Sequence, residues 1–387
     1  MADFSRREFL AGATATMATI ATAGCTTMSE QSAPGPPSFA YVGCYTTKQR
    51  NARGEGIGVY RIDRASGDWT QVQLVRDLVN PSWLTFDRTK RRLYSAHGDG
   101  EHATAFLVDW QTGHLKPLNQ AATGGRNGVS VSVDPTNRFV VVGNYSSGTV
   151  AVVPINPDGS LGTFTDLVTL TGDPGPHRTE QASAHPHDVP FDRAGRFVVV
   201  PDKGLDKVFV YKLDTASGKL AAATPPSVST RPGAGPRHVD FHPSKPYAYV
   251  INELDSTVTT YGLGATGELK PVQVVTTLPP SFTGNNATSE IAVHPSGRFV
   301  YGSNRGHDSL AIFSVDELTG TLTAVGWEPT QGKTPRFFAL DPAGAMLYVA
   351  NQDSDTIVFF RVDRSSGKLS ATGQVVKTGS PSSIVFR

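Results

Sequence analysis

The sequence predicts an all-β fold, a seven-bladed β-propeller whose N- and C-terminal strands pair to close the ring. Three observations predict it. A unit of about fifty residues recurs along the chain, the period of a four-stranded blade. The composition is that of many short strands broken by turns, with 39 Gly and 27 Pro and no long helical periodicity. The last unit is only half a unit, and a strand that completes it lies near the other end of the chain.

The repeat comes first, because everything else hangs on its register. Each unit has an opening stretch that usually holds a proline or glycine, a short strand, a polar turn, a second strand and a closing polar residue. Units occupy 81–97, 128–145, 186–203, 236–253, 288–305 and 335–352, with the half unit at 381–386. The apolar residue closing the first strand marks the period: Phe86, Val133, Phe191, Phe241, Val293, Leu340 and Phe386, spaced 47, 58, 50, 52, 47 and 46 residues apart. Seven anchors mean seven blades. The second strand missing from the half unit is expected at Phe39 to Tyr45, so that closure leaves no open sheet edge.

Charge excludes some partners. With 35 basic and 34 acidic residues the net charge is +1, which supplies no field for nucleic acid or an anionic membrane. No apolar run in the body of the chain is long enough to span a bilayer, so no transmembrane segment is expected in the mature protein.

Residues 1–37 read as an address and a tether, and 38–387 as the propeller. Ser5-Arg6-Arg7-Glu8-Phe9-Leu10, followed by a mildly apolar Ala/Thr run, resembles a twin-arginine export signal. Cleavage is expected after Ala21-Thr22-Ala23, or Cys25 is lipidated, since Ala23-Gly24-Cys25 resembles the end of a lipobox. Either outcome makes the protein periplasmic or cell-surface. It also leaves Cys44 without a disulfide partner, as a small residue near a strand end and not a nucleophile.

Register then predicts which side chains meet. The first strand of a blade begins at the face where the second ends, because the two form a hairpin. One mouth of the channel therefore gathers Ser82, Val129, His187, Arg237, Ser289, Arg336 and Ser382, their successors Trp83, Ser130, Asp188, His238, Glu290, Phe337 and Ser383, and the second-strand ends Tyr45, His97, Tyr145, Lys203, Glu253, Arg305 and Gln352. The last set holds no aliphatic residue, and carboxylates, guanidiniums and imidazoles converge there. On the opposite face the turns beginning at Asp87, Asp134, Asp192 and Asp341, with His242 and His294 in the equivalent place, read as turn caps. The long 58-residue spacing reflects a segment, 173–184, expected to loop over the mouth with Arg178 and Gln181 near a ligand.

The segments AHPHDV at 184–189, VPDKGLD at 200–206, GPRHVDFHP at 235–243, VINE at 250–253, SNRGHDS at 303–309 and ANQDSD at 350–355 resemble the seven-bladed lactonase family. That family includes the propeller type of 6-phosphogluconolactonase and the fungal carboxy-cis,cis-muconate cyclase. The resemblance implies hydrolysis of a sugar lactone or a carboxylated sugar acid derivative. It also implies an active constellation of one His, two Arg and one Glu. Matched motif by motif, these are His187 (with His185 the second candidate), Arg237, Arg305 and Glu253, all of which fall on the rings above. His185, Lys203, His238, Arg336, Arg178 and Gln181 are expected to contact substrate.

Lactone hydrolysis needs an activated water, charge stabilisation at the carbonyl oxygen and a proton for the leaving hydroxyl. Glu253 and His187 are the candidate base and acid. A carboxylate beside two arginines is a weak base, which favours His187 for that task. Arg237 and Arg305 are expected to hold an anionic group or the oxyanion. His185, His187 and His238 lie close enough to suggest a metal, but no carboxylate pattern completes a site and no cofactor is expected. A cycloisomerase using the same residues and a non-catalytic binding propeller are the alternative readings, since fold does not fix function.

Overall fold

The computed structural model describes residues 38–387; the expected export signal, Cys25 and tether lie outside them. Seven antiparallel sheets follow one another around a channel. Blades 1 to 6 span 83–122, 128–169, 186–229, 236–276, 287–329 and 335–377. Blade 7 combines Pro381–Phe386 as its inner strand with Phe39–Cys44, Ile57–Ile62 and Trp69–Val75. The closure follows the expected pairing, with Ala40 opposite Phe386 and Val42 opposite Ile384. Among the described residues no helix is long and apolar enough to cross a membrane.

Second strands such as Phe139–Asn144 are buried at every position, because a blade in the middle of a ring is covered on both faces. That burial resolves into seven apolar clusters, one at each of the seven junctions between neighbouring blades. The junction of blades 6 and 7 is the aromatic one. Trp69, Tyr348, Phe359 and Phe386 meet there at ring separations of 4.8 to 5.8 Å.

Blade 3 departs from the repeat. Its sheet has three strands, and the expected inner strand at 186–191 is reduced to two isolated bridges, Pro186 to Asp202 and Phe191 to Val198. Pro186 and Pro190 have no N–H to give a ladder, so the segment keeps its register without the regular bonds. It is also the segment that carries His187.

The turns opposite the mouth behave as turn chemistry. Asp87, Asp134, Asp192 and Asp341 each accept two backbone N–H bonds from residues four and five ahead. His294 is held between Ser296 and the Gly344 carbonyl. Cys44 is buried, its thiol donates to the Gly56 carbonyl, and burial pushes that thiol up to about 11.

Phe386→Ala should therefore lower stability by about 3 kcal/mol, the usual range for truncating a buried aromatic. The check is the urea midpoint; an unchanged midpoint would mean that the terminal strand contributes little to closing the ring.

Candidate active site

Two neighbouring positions on one strand normally point to opposite faces. Here both Arg237 and His238 line the same hollow at the channel mouth. The reason is a bulge at the start of the inner strand. In blade 4, Pro236 pairs with Asn252 and His238 with Ile251, so Arg237 is the extra, unpaired residue. The same slip isolates Val129, Arg336 and Ser382 in blades 2, 6 and 7. A bulge of this kind re-aims a side chain, and repeated around the ring it lets two successive residues reach the channel.

The second-strand ends are fixed by another repeated device. Asn144, Asn252, Asn304 and Asn351 precede Tyr145, Glu253, Arg305 and Gln352. Each is buried; the amide of Asn252 donates to the Thr257 hydroxyl of its own sheet, and those of Asn144, Asn304 and Asn351 donate to the carbonyls of Thr123, Thr277 and Thr330, just past the outer strand of the preceding blade. In blade 3 Asp202 takes that place and accepts the N–H groups of His185 and Leu205.

Glu253 is the hub of the mouth. Its carboxylate meets Lys203 Nζ at 3.1 Å, Arg237 Nε at 2.9 Å and Arg305 Nη2 at 3.2 Å. Burial alone would raise its pKa, but Arg305, Lys203 and Arg237 together hold the carboxyl well below the usual range. It is therefore an ionised anchor. Lys203 is bridged onward to Glu180 at 2.6 Å. Arg305 also donates to the Thr288 carbonyl, and Arg237 to that of Ser289.

His187 is buried beside Tyr145, with ring centroids 5.4 Å apart, and beside His238 at 5.1 Å. Its Nδ1 has no hydrogen-bond partner among the described residues. Burial first, then Arg237, Lys203 and Arg336, keep its pKa well below 6.5, so the imidazole is neutral at neutral pH. His238 is neutral for the same reasons, and burial raises its partner Glu290 well above the carboxylate range. Both shifts work against an ion pair, and their 3.1 Å contact is a hydrogen bond. Asp188, raised by burial to about 7, accepts from Ser130 of blade 2 and Val239 N–H of blade 4, tying three inner strands together beneath the mouth.

Arg336 faces the same hollow, and its guanidinium lies 5.0 Å from the Tyr45 ring with no hydrogen-bonded carboxylate among the described residues. Arg50 lies 4.7 Å from that ring but is paired with Asp99. A larger cleft between blades 6 and 7 is lined by Cys44, Arg53 and Asp355, but there Arg53 and Asp355 pair with each other and the thiol is occupied.

The structure thus brings His187, Arg237, Glu253, Arg305, Lys203, His238 and Arg336 to one mouth. His185 stands at its edge, stacked on Tyr145 at 4.4 Å with Nδ1 on the Tyr145 carbonyl. The looped segment differs in detail from expectation. Arg178 is exposed and has no polar contact with the hollow, while the amide of Gln181 turns inward to the Lys203 carbonyl and so pins the loop. Glu180, unremarked in the sequence, is the residue of this loop that reaches the charged cluster. Arg237 and Arg305, expected to hold an anionic group or the oxyanion, are both hydrogen-bonded to Glu253, whereas Arg336 has no carboxylate partner among the described residues. Among the described residues no group of three His, Cys, Asp or Glu side chains is disposed to hold a metal ion.

Comparison with known proteins adds the following. The family model described as "Lactonase, 7-bladed beta-propeller" matches residues 39–386. A 6-phosphogluconolactonase of Bacillus subtilis is 39% identical over 304 residues, covering 78% of this chain and 84% of that protein. One from Formosa agariphila is 32% identical over 310 residues, covering 78% and 85%. The solved structure of the Pseudomonas aeruginosa periplasmic gluconolactonase PpgL superposes with a TM-score of 0.84 at 34% identity, over 90% of this chain and 98% of that one.

Glu253→Gln should cost roughly 3 kcal/mol, because it leaves three buried cations without their counter-charge. Glu253 has a depressed folded pKa, so its contribution is complete above the ordinary value of 4.5 and fades as pH falls below it. Urea midpoints of wild type and variant should therefore differ most at neutral pH and converge under acid. A constant gap down to pH 3 would contradict this account.

Proposed function

The chain belongs to the seven-bladed β-propeller lactonase family, and on that premise we propose that its channel mouth opens a sugar lactone by hydrolysis. The observation that carries the reading is the neutral imidazole of His187, with an unpartnered nitrogen, set among the guanidiniums of Arg237 and Arg336 in one enclosed hollow. In this scheme His187 takes a proton from the attacking water. Arg237 and Arg336 hold the oxygen on which charge develops, a preorganised arrangement of the oxyanion type. Glu253 orients Arg237 and is not the base, because three cations already stabilise its anion. Arg305 and Lys203 complete that anchor, and His238 with Glu290 supports Arg237 from behind, where Arg237 Nη1 lies 2.9 Å from His238 Nε2.

Pairing bears on the substrate. Lys203, Arg237 and Arg305 share Glu253, and Lys203 also meets Glu180, so these three cations are already hydrogen-bonded to carboxylates. Arg336 is the guanidinium left with its donors free among the described residues, and a single free fork suits a neutral or singly charged ligand, where a phosphate group calls for several free donors. We therefore take the substrate to be an unphosphorylated aldonolactone. Two further features support this: the twin-arginine string at Ser5 to Leu10, which reads as export, and the likeness to a protein named periplasmic gluconolactonase. In a periplasmic setting Cys25 would be cleaved away or carry the anchor, which intact mass distinguishes.

Two measurements test the reading. In a pH-stat assay, gluconolactone should be turned over with a higher kcat/KM than its 6-phosphate; the reverse order would remove the charge argument, and inertness toward both would favour a binding role. His187→Ala should lower kcat/KM at least ~100-fold, the usual weight of a general base, with Tm little changed. A retained rate removes His187 from the mechanism. Because the imidazole pKa is held below 6.5, the acid limb of the wild-type kcat/KM profile should also lie below pH 6.5.

A further inference from the structure

Hydrolysis with His187 as base leaves one requirement unassigned. The ring oxygen departs as an alkoxide and needs a proton. Glu253 has none to give, being held as a carboxylate by three cations, and the Glu290 carboxyl is turned to His238 and the Ile291 N–H and does not line the hollow. Resting on the lactonase reading, we propose that Tyr45 is a further catalytic residue, the donor of that proton.

Tyr45 ends the second strand of blade 7 and is 3% exposed, yet it lines the same hollow as His187, Arg237 and Arg336. Three buried tyrosines of the blade cores, Tyr41, Tyr94 and Tyr301, donate to the carbonyls of Gly113, Gly159 and Gly367, and Tyr249, whose hydroxyl has no partner among the described residues, is packed in the junction of blades 4 and 5 away from the hollow. The Tyr45 hydroxyl has no hydrogen-bond partner among the described residues. Its ring is flanked by the guanidiniums of Arg50 at 4.7 Å and Arg336 at 5.0 Å, which favour the phenolate that donation would produce. The acidity follows the geometry. Burial would raise the Tyr45 pKa, but Arg336, Arg50, Arg237 and Arg305 bring it below 10, whereas burial raises Tyr145, at the same register of blade 2.

The step balances. Water oxygen bonds to the carbonyl carbon while one of its protons passes to His187 and the carbonyl electron pair moves to oxygen. On collapse, the bond between that carbon and the ring oxygen breaks, and the ring oxygen takes the phenolic proton of Tyr45. The proton held by His187 returns to the phenolate through solvent at the mouth. One water is consumed and one hydroxy acid leaves.

The test uses Tyr45→Phe in the full-length protein, which keeps the ring between its two arginines. Two lactones are compared: gluconolactone, which expels an alkoxide, and dihydrocoumarin, which expels a phenolate and needs little acid assistance. The expected result is a kcat loss of about 100-fold on gluconolactone and less than about tenfold on dihydrocoumarin, with KM little changed on either. An ultraviolet difference titration, wild type minus variant, should show one phenolate forming with a midpoint below pH 10. Equal losses on both lactones, no loss on gluconolactone, or a midpoint at or above 10 each overturns the role. Wild type inert to both lactones would overturn the lactonase reading and this role together, whereas active wild type with an unaffected variant overturns Tyr45 alone.

Discussion

The carboxylate of Glu253, held by Lys203, Arg237 and Arg305, is the interaction on which the mouth depends. Each cation arrives on a different sheet, from blades 3, 4 and 5, so the contact ties three blades at one point. A buried carboxylate is costly unless its counter-charges are close and well placed, and three cations without it would repel one another as strongly. The cluster is therefore mutually required. It also sets the chemistry left over, because cations engaged with Glu253 are less available to a ligand, and Arg336, whose guanidinium lies against Tyr45, is not so engaged.

The repeat made much of this legible. A spacing near fifty residues, a polar residue at each second-strand end and a half unit at the C-terminus were enough to specify seven blades, their closure and the shared mouth. The bulges were not legible. Simple alternation would have sent Arg237 and His238 to opposite faces, and what brings both to the hollow is a one-residue slip that no residue type announces. Glu180 was invisible for a different reason: it sits in an insertion that has no counterpart in the other units, so register says nothing of where it points. Gln181 was placed near the mouth correctly in position, but its amide faces the Lys203 backbone. Blade 3 shows the limit of pattern in the other direction, since its prolines keep the register while removing the strand.

The two faces of the ring put similar residues to opposite uses. Far from the mouth, aspartates cap turns through backbone N–H groups and tyrosines such as Tyr41 and Tyr301 give their hydroxyls to glycine carbonyls, so the partners there are largely backbone groups. At the mouth the partners are side chains from other blades. His97 marks the boundary: it lies on the mouth ring, but both ring nitrogens are occupied, by the Val79 carbonyl and the Thr104 hydroxyl, and burial lowers its pKa to about 4. A position on the ring is not sufficient for chemistry; a polar atom left without a partner there is the further requirement, which His187 meets and His97 does not.

A single feature, cationic charge concentrated in a poorly hydrated opening, then accounts for three different ionisation states. Burial first and the cations second keep the His187 imidazole neutral, the cations keep Glu253 ionised against burial, and they make the Tyr45 phenol more acidic than the buried tyrosines of the blade cores. All three shifts are downward, because positive potential favours the deprotonated form of any group. Positive potential around these three groups excludes Glu253 as a proton donor and leaves a neutral base facing a phenol, whereas Asp188 and Glu290, beneath the mouth, are raised by burial. Roles at this mouth are therefore divided by intrinsic acidity: the carboxylic acid stands as an anion, the imidazole as a neutral base, and the phenol keeps a proton to give.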